Sequence, residues 1–208
     1  MSTQQAYNSW ASQYDTNKNR TRDLEGQALR TVLADVPFLN CLEIGCGTGK
    51  NTAWLEQKAV HVTAVDLSEE MLERAKEKVN VEKVTFVQAD ITQEWYFVTQ
   101  PYDLVSFSLV LEHIEQLGPV FSNVAKALKA GGYVYIGELH PFKQYLGTKA
   151  RFDTEEGRQE VECYTHHVSD FVRSGRQHGL KLVDLDEHFD DNDRSGVPRI
   201  LTILLQKL

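Results

Sequence analysis

The chain is short of cations. Its 22 lysines and arginines stand against 30 aspartates and glutamates, for a formal net charge of −8. That balance argues against a nucleic-acid partner, which calls for a basic face. Cysteine is scarce too: Cys41, Cys46 and Cys163 are odd in number and show no C-x-x-C spacing, so neither a metal nor a redox motif is expected. No apolar run approaches the ~18 residues needed to span a bilayer. The opening Met-Ser-Thr-Gln-Gln lacks the basic and apolar regions of a signal peptide. Repeats and low-complexity tracts are absent as well. A chain of 208 residues with these gaps reads as one domain with a substantial core, reduced and cytoplasmic, with no membrane partner.

What the chain does have is a glycine loop. An apolar run from Phe38 to Ile44 ends in Gly45-Cys46-Gly47-Thr48-Gly49, and a helix is expected from Thr48 to Gln57. Glycine lets backbone approach a ligand closely because it has no Cβ and tolerates positive φ. Two familiar ligands fit poorly. A phosphate loop needs G-x-x-x-x-G-K-[ST], and here Ile44 takes the first glycine's place while Asn51 replaces the Ser or Thr. A dinucleotide fingerprint needs G-x-G-x-x-G, and here the third glycine comes one residue early. Glu43, at the strand's end, would repel a pyrophosphate but suits a cation. S-adenosylmethionine carries a sulfonium and an ammonium and no phosphate. A second β-branched run, Val62 to Val65, ends in Asp66. An acid at that point accepts hydrogen bonds from ribose hydroxyls in nucleoside-binding α/β folds; the competing role is a charge at the next helix's N-terminus, which falls more naturally to Ser68.

The chain resembles the class I S-adenosylmethionine-dependent methyltransferases, particularly the type 11, ubiquinone-biosynthesis-like small-molecule group. The resemblance rests on Leu42-Glu43-Ile44-Gly45-Cys46-Gly47-Thr48-Gly49 and Val65-Asp66-Leu67-Ser68-Glu69-Glu70-Met71-Leu72, then Ala89-Asp90-Ile91, Tyr102-Asp103-Leu104-Val105 and Leu128-Lys129-Ala130-Gly131-Gly132. It covers about residues 7 to 140 in the family's order. It implies a Rossmann-like, doubly wound α/β sheet of seven strands, mostly parallel with an antiparallel last strand. It also implies S-adenosylmethionine as cofactor, held by Tyr14, Glu43, Gly45, Cys46, Gly47, Gly49, Asp66, Leu67, Met71, Asp90, Ile91 and Ser108. Asp90 would meet the adenine amino group and Ile91 its ring; an Asp capping a turn before Thr92 is the other reading.

Elsewhere the residues speak for themselves. Tyr7, Trp10 and Tyr14 share one face of an N-terminal helix, either docked on the core or, as the resemblance implies, part of a lid over about residues 1–35. Leu24, Ala28 and Thr31 are expected to face the sheet. Strands are expected near 39–44, 61–65, 83–88, 102–107 and 132–138, with helices near 48–57, 68–79 and 119–129, an alternation that gives βαβ units. A flap is expected over 142–165, with a short strand at Val161–Tyr164; its Lys143, Lys149 and Arg151 read as surface charges or as groups for an acidic substrate. A helix capped by Ser169 follows, then strands from Leu180 and Ile200. Two candidate bases lie at strand ends, where open α/β sheets place their ligands. His113 follows strand four. His140 follows strand five, on the same side as Glu138. Either can take a proton near neutral pH, or simply tie a loop. No metal site is expected. The expected reaction is in-line methyl transfer to a small-molecule acceptor. The alternatives are methylation of a protein or RNA, and a silent methyltransferase-like binding subunit.

Overall fold

The computed structural model describes residues 3–11, 14–16, 19–148, 151–154 and 157–208, with backbone alone at 151–154 and 157–160. Seven strands form one sheet: β1 (Asn40–Ile44), β2 (His61–Asp66), β3 (Val84–Gln88), β4 (Tyr102–Ser108), β5 (Leu128–Leu139), β8 (Leu180–His188) and β9 (Ile200–Lys207). Their order is β3-β2-β1-β4-β5-β9-β8. Neighbours from β3 to β5 pair in parallel, and β9 runs antiparallel to both β5 and β8. A separate hairpin joins β6 (Arg151–Thr154) and β7 (Gly157–Glu160).

Helices cover both faces. Against one lie α2 (Arg20–Val32), α3 (Thr52–Lys58) and α4 (Glu69–Lys76), which pack Leu29, Leu55 and Leu72 on Cys41, Val62 and Leu104. Against the other lie α5 (Leu117–Ala127) and α7 (Val168–Gln177), which pack Phe121, Val124 and Phe171 on Leu42, Val105 and Phe107. Burial on both faces is why the strands read as unbroken apolar runs, and each such side chain contributes ~1.5–3 kcal/mol. The remaining helices are α1 (Thr3–Trp10) and α6 (Pro141–Tyr145). Among the described residues, no helix is long and apolar enough to cross a membrane.

The sequence reading needs several corrections. Helix α3 starts at Thr52, not Thr48, because Gly45, Gly47 and Gly49 all hold positive φ and keep the chain in a loop. Tyr14 lies beyond α1, which ends at Trp10. Helix α2 buries Glu25, Gly26, Ala28 and Leu29, while Leu24 is half-buried and Thr31 exposed. Lys129 lies in β5, past the end of α5, and bonds Asp103 at 2.8 Å. His167, not Ser169, precedes α7 as its cap. Val161–Tyr164 forms no strand; Tyr164 N donates to Glu112 O at 2.7 Å. Lys149 lies outside the described residues, as does the side chain of Arg151.

Candidate active site

The loops beyond the C-terminal ends of β1, β2, β3 and β4 enclose two adjoining cavities. The first, of about 260 Å³, is lined by Ile44, Asp66, Leu67, Met71, Asp90 and Ile91, with Tyr7 and His113. The second, of about 360 Å³, is lined by charge: Asp15, Asp23, Glu25 and Glu43 against Arg22, Lys50 and Lys78. Tyr14, Gly45, Gly47, Ser108 and Leu109 line both, and Cys46 lines the second. A smaller cavity of about 160 Å³ opens between the N-terminal segment and the loop after β4; its walls include Tyr7, Trp10, Tyr14, Arg22, Leu109 and Glu112.

Of the expected cofactor residues, only Gly49 lines neither of the first two cavities. Its work is packing: a Cβ there would sit 3.1 Å from Ala75 Cα, so α4 approaches the loop because the side chain is missing. Asp66 already holds the loop, accepting from Gly47 N at 2.8 Å and Ser68 N at 2.9 Å. Burial pushes its carboxyl up despite those bonds. Asp90 accepts from Thr92 N at 2.9 Å and Thr92 Oγ1 at 2.7 Å, the capping geometry, while still facing the cavity.

Glu43 is 4 % exposed, and burial pushes its carboxyl up to about 8, although Thr52 Oγ1 donates to it at 2.6 Å. Glu25 stands near it, buried, accepting from Asn51 Nδ2 and Tyr135 Oη at 3.0 Å each; burial raises it also. No local pattern marks this second carboxylate, which occupies the buried side of α2. A carboxyl whose folded pKa exceeds its unfolded value binds protons more tightly in the fold. Its contribution to stability therefore declines as pH rises from the ordinary 4.5 toward about 8. The melting temperature of the free protein is expected to fall by several degrees between pH 5 and pH 8, and Glu43→Gln to flatten part of that slope. Thermal melts across that window check it; a flat or rising curve contradicts it.

The two histidines separate. His113 lines the first cavity. Its Nδ1 lies 2.9 Å from Glu162 O, which can only accept, so Nδ1 carries the proton; Nε2 accepts from Tyr7 Oη at 2.8 Å. His140 lies outside all three cavities. Its Nδ1 accepts from Phe142 N at 3.1 Å, capping α6, and Nε2 bonds Glu187 Oε1 at 3.0 Å. It makes no pair with Glu138, whose Oε1 instead accepts from Val110 N and Leu111 N at 3.0 and 2.8 Å. The base candidacy of His140 is thereby corrected to a loop tie. His140→Ala is expected to cost about 1 kcal/mol, the usual worth of a cap, and lower the melting point by ~2–4 °C with turnover unchanged. Calorimetry beside a rate assay checks it.

Sequence reasoning also missed Leu109, which lines all three cavities with φ +58. A leucine in that conformation costs ~1–2 kcal/mol and marks a site where the surrounding fold imposes strain. The N-terminal segment closes over the site. Gln4 Nε2 donates to Leu67 O at 3.0 Å, Thr48 Oγ1 to Asp15 Oδ1 at 2.7 Å, and Lys78 pairs with Asp15.

A parallel sheet that ends in a glycine loop, a strand-two acid and a trough of mixed charge defines a class: nucleoside-binding α/β enzymes whose ligand carries both cationic and anionic groups. Comparison with known proteins narrows it. The family described as "Methyltransferase domain" matches residues 42–136. A malonyl-[acyl-carrier protein] O-methyltransferase of Priestia megaterium is 31% identical over 199 residues, covering 87% of this chain and 71% of that one. A ubiquinone biosynthesis O-methyltransferase of Hydrogenovibrio crunogenus is 30% identical over 155 residues, covering 68% and 61%. Among solved structures, the DhpI–SAH complex superposes with a TM-score of 0.78 at 22% identity, covering 98% of this chain and 94% of that one; at that identity the likeness bears on fold. The chain belongs to the class I S-adenosylmethionine-dependent methyltransferases, in the type 11 group. Its cofactor is S-adenosylmethionine.

Proposed function

We propose that the protein methylates a small molecule seated in the third cavity, with the cofactor laid along the first two. One observation carries this reading. Tyr14 and Leu109 line all three cavities, so the three meet at one point. When bound, the cofactor supplies an electrophilic methyl on the sulfonium between its nucleoside and amino-acid ends. A nucleoside in the first cavity and an amino acid in the second put that methyl at the shared point.

The residues present fit the group. Asp66 accepts from ribose hydroxyls, and Asp90 from the adenine amine. Leu67, Met71 and Ile91 give the base apolar walls. In the second cavity Glu25 and Glu43 face the ammonium with the buried Asn51 Oδ1, which has no hydrogen-bond partner among the described residues; Arg22 faces the carboxylate. Gly45, Cys46 and Gly47 bring backbone close, and Tyr14 and Ser108 close the junction. The chain's main contribution is alignment, which can supply ~7–11 kcal/mol of the barrier. Water exclusion by the N-terminal segment adds to it. Of the two histidines, His113 is the candidate base that stands on a cavity wall, and Tyr7 Oη links its Nε2 to the acceptor side. The relatives named for malonyl-[acyl-carrier protein] and ubiquinone chemistry support a metabolite acceptor.

Calorimetric titration with S-adenosylmethionine, beside NAD and ATP, tests the arrangement. Micromolar affinity for the first alone is expected, and a radiolabelled methyl should then pass to members of a metabolite library. Transfer only to protein or RNA would overturn the small-molecule reading.

A further inference from the structure

Glu112 is a buried carboxyl on the wall of the third cavity; Gln144 hydrogen-bonds it, yet one of its oxygens is left open. It sits in a single helical turn, Leu111–His113, fixed from below by Glu138. It is 7 % exposed, and its Oε2 is buried with no hydrogen-bond partner among the described residues. His113 Nε2 stands 4.0 Å from its other oxygen, beyond a hydrogen bond and already engaged by Tyr7. Three aromatic rings share the cavity's wall with Glu112. Trp10 and Tyr14 meet edge to face at 4.8 Å, and Tyr7 lies 5.9 Å from Trp10. Arg22 shows what these rings accept: its guanidinium lies 3.9 Å from the centre of Tyr14 and 5.7 Å from that of Trp10. Arg22 itself is held by the Tyr14 carbonyl and turns toward the amino-acid cavity. With the cofactor's carboxylate opposite Arg22, the buried Glu112 Oε2 is left without a partner in a cavity walled by aromatic rings.

We infer that the methyl acceptor is a small amine, received as its ammonium form by Glu112 and the ring faces of Tyr7, Trp10 and Tyr14. The inference rests on the cofactor placement proposed above. An ammonium beside a desolvated carboxylate and aromatic faces satisfies both, whereas an acid would add a second buried negative charge. The chemistry balances. The ammonium passes a proton to the Glu112 carboxylate, which burial makes a stronger base than an exposed one. The freed lone pair forms the N–C bond as the C–S bond breaks, with that electron pair going to sulfur. The positive charge of the sulfonium ends on the methylated nitrogen, and the proton on Glu112 leaves for solvent with the product. A second cation could claim the same carboxylate, because Glu112, His113 and Cys163 each offer a ligand atom within 4.8 Å of one another. Both ring nitrogens of His113 are engaged, however, so a metal would have to displace Tyr7 or Glu162.

Three probes of one shape separate the cases: phenethylamine, 2-phenylethanol and 3-phenylpropionate, titrated calorimetrically into protein saturated with S-adenosylhomocysteine. Binding of S-adenosylhomocysteine itself is measured first, so loss of the cofactor reading shows separately. The amine is expected to bind at least tenfold more tightly than the alcohol, and the acid more weakly than either. Glu112→Gln should erase that preference while leaving cofactor affinity within twofold. Glu112→Asp, which keeps the charge, should retain part of it and serves if the glutamine variant does not fold. Equal affinities in wild-type protein, or preference for the acid or alcohol, would overturn the inference. So would micromolar Zn²⁺ or Mg²⁺ binding to wild-type protein that disappears in Glu112→Gln.

Discussion

Asp66→Ala is expected to weaken S-adenosylmethionine binding at least tenfold, about 1.4 kcal/mol, and toward a hundredfold if both ribose bonds are lost. Hydrogen bonds to a charged group are worth ~1.5–3 kcal/mol each. Asp66 stands where β2 ends, with one oxygen on Gly47 N and the other on Ser68 N. It therefore has two roles, holding the glycine loop and facing the nucleoside cavity. Asp66→Asn separates them, since the amide oxygen can still accept one backbone bond but the charge is gone. A loss confined to Asp66→Ala would assign the effect to the loop. A similar loss in both variants, with melting temperatures close to wild type, would assign it to the ribose. Titration calorimetry beside thermal melts reads both. An unchanged affinity in folded Asp66→Ala removes the ribose assignment.

The sheet was legible because its strands are buried on both faces, which leaves short apolar runs that end in polar or glycine residues. Cys41 to Ile44, Val62 to Val65 and Leu104 to Phe107 all sit in strands within a residue or two of expectation. The glycine loop was legible for the same reason that it misled at its end. Three alternate glycines signalled a tight turn, but nothing in the sequence said that all would take positive φ and delay α3 to Thr52. Amphipathic reasoning assumes that the buried face is apolar. Helix α2 breaks that assumption with Glu25, whose carboxylate is buried against Tyr135 and Asn51. Long-range pairs of this kind leave no mark in local pattern. Histidine drew attention as the residue that titrates near neutral pH, yet His140 proved to be a helix cap. Beside His113, it is Glu112 whose carboxyl has a buried oxygen with no partner among the described residues. The strain at Leu109 was equally invisible, because it is imposed by the fold and not by the residue.

Gly45→Ala and Gly47→Ala are expected to fail in different ways. Both glycines hold positive φ, +72° and +53°, where a Cβ costs ~1–2 kcal/mol. At Gly45 the added carbon would also sit far inside van der Waals contact distance of Val110 Cγ2, and 3.3 Å from two further Val110 carbons. Val110 cannot readily withdraw, because its amide is bonded to the buried Glu138 carboxylate. Overpacking of this kind adds ~1–3 kcal/mol. At ~2–4 °C per kcal/mol for a domain of this size, Gly45→Ala should lower the melting temperature by roughly 4–20 °C, with cofactor binding lost alongside. At Gly47 the added carbon meets no protein atom within 4 Å, so the fold should lose only the conformational term, about 2–8 °C by the same scale. Gly47 lines both cofactor cavities, so its affinity for S-adenosylmethionine should still fall at least tenfold. Equal melting temperatures for the two variants would show that Val110 moves aside. Undiminished binding by Gly47→Ala would place the cofactor farther from the loop than the cavities imply. The contrast divides the loop into a glycine that the fold requires and a glycine that the ligand requires.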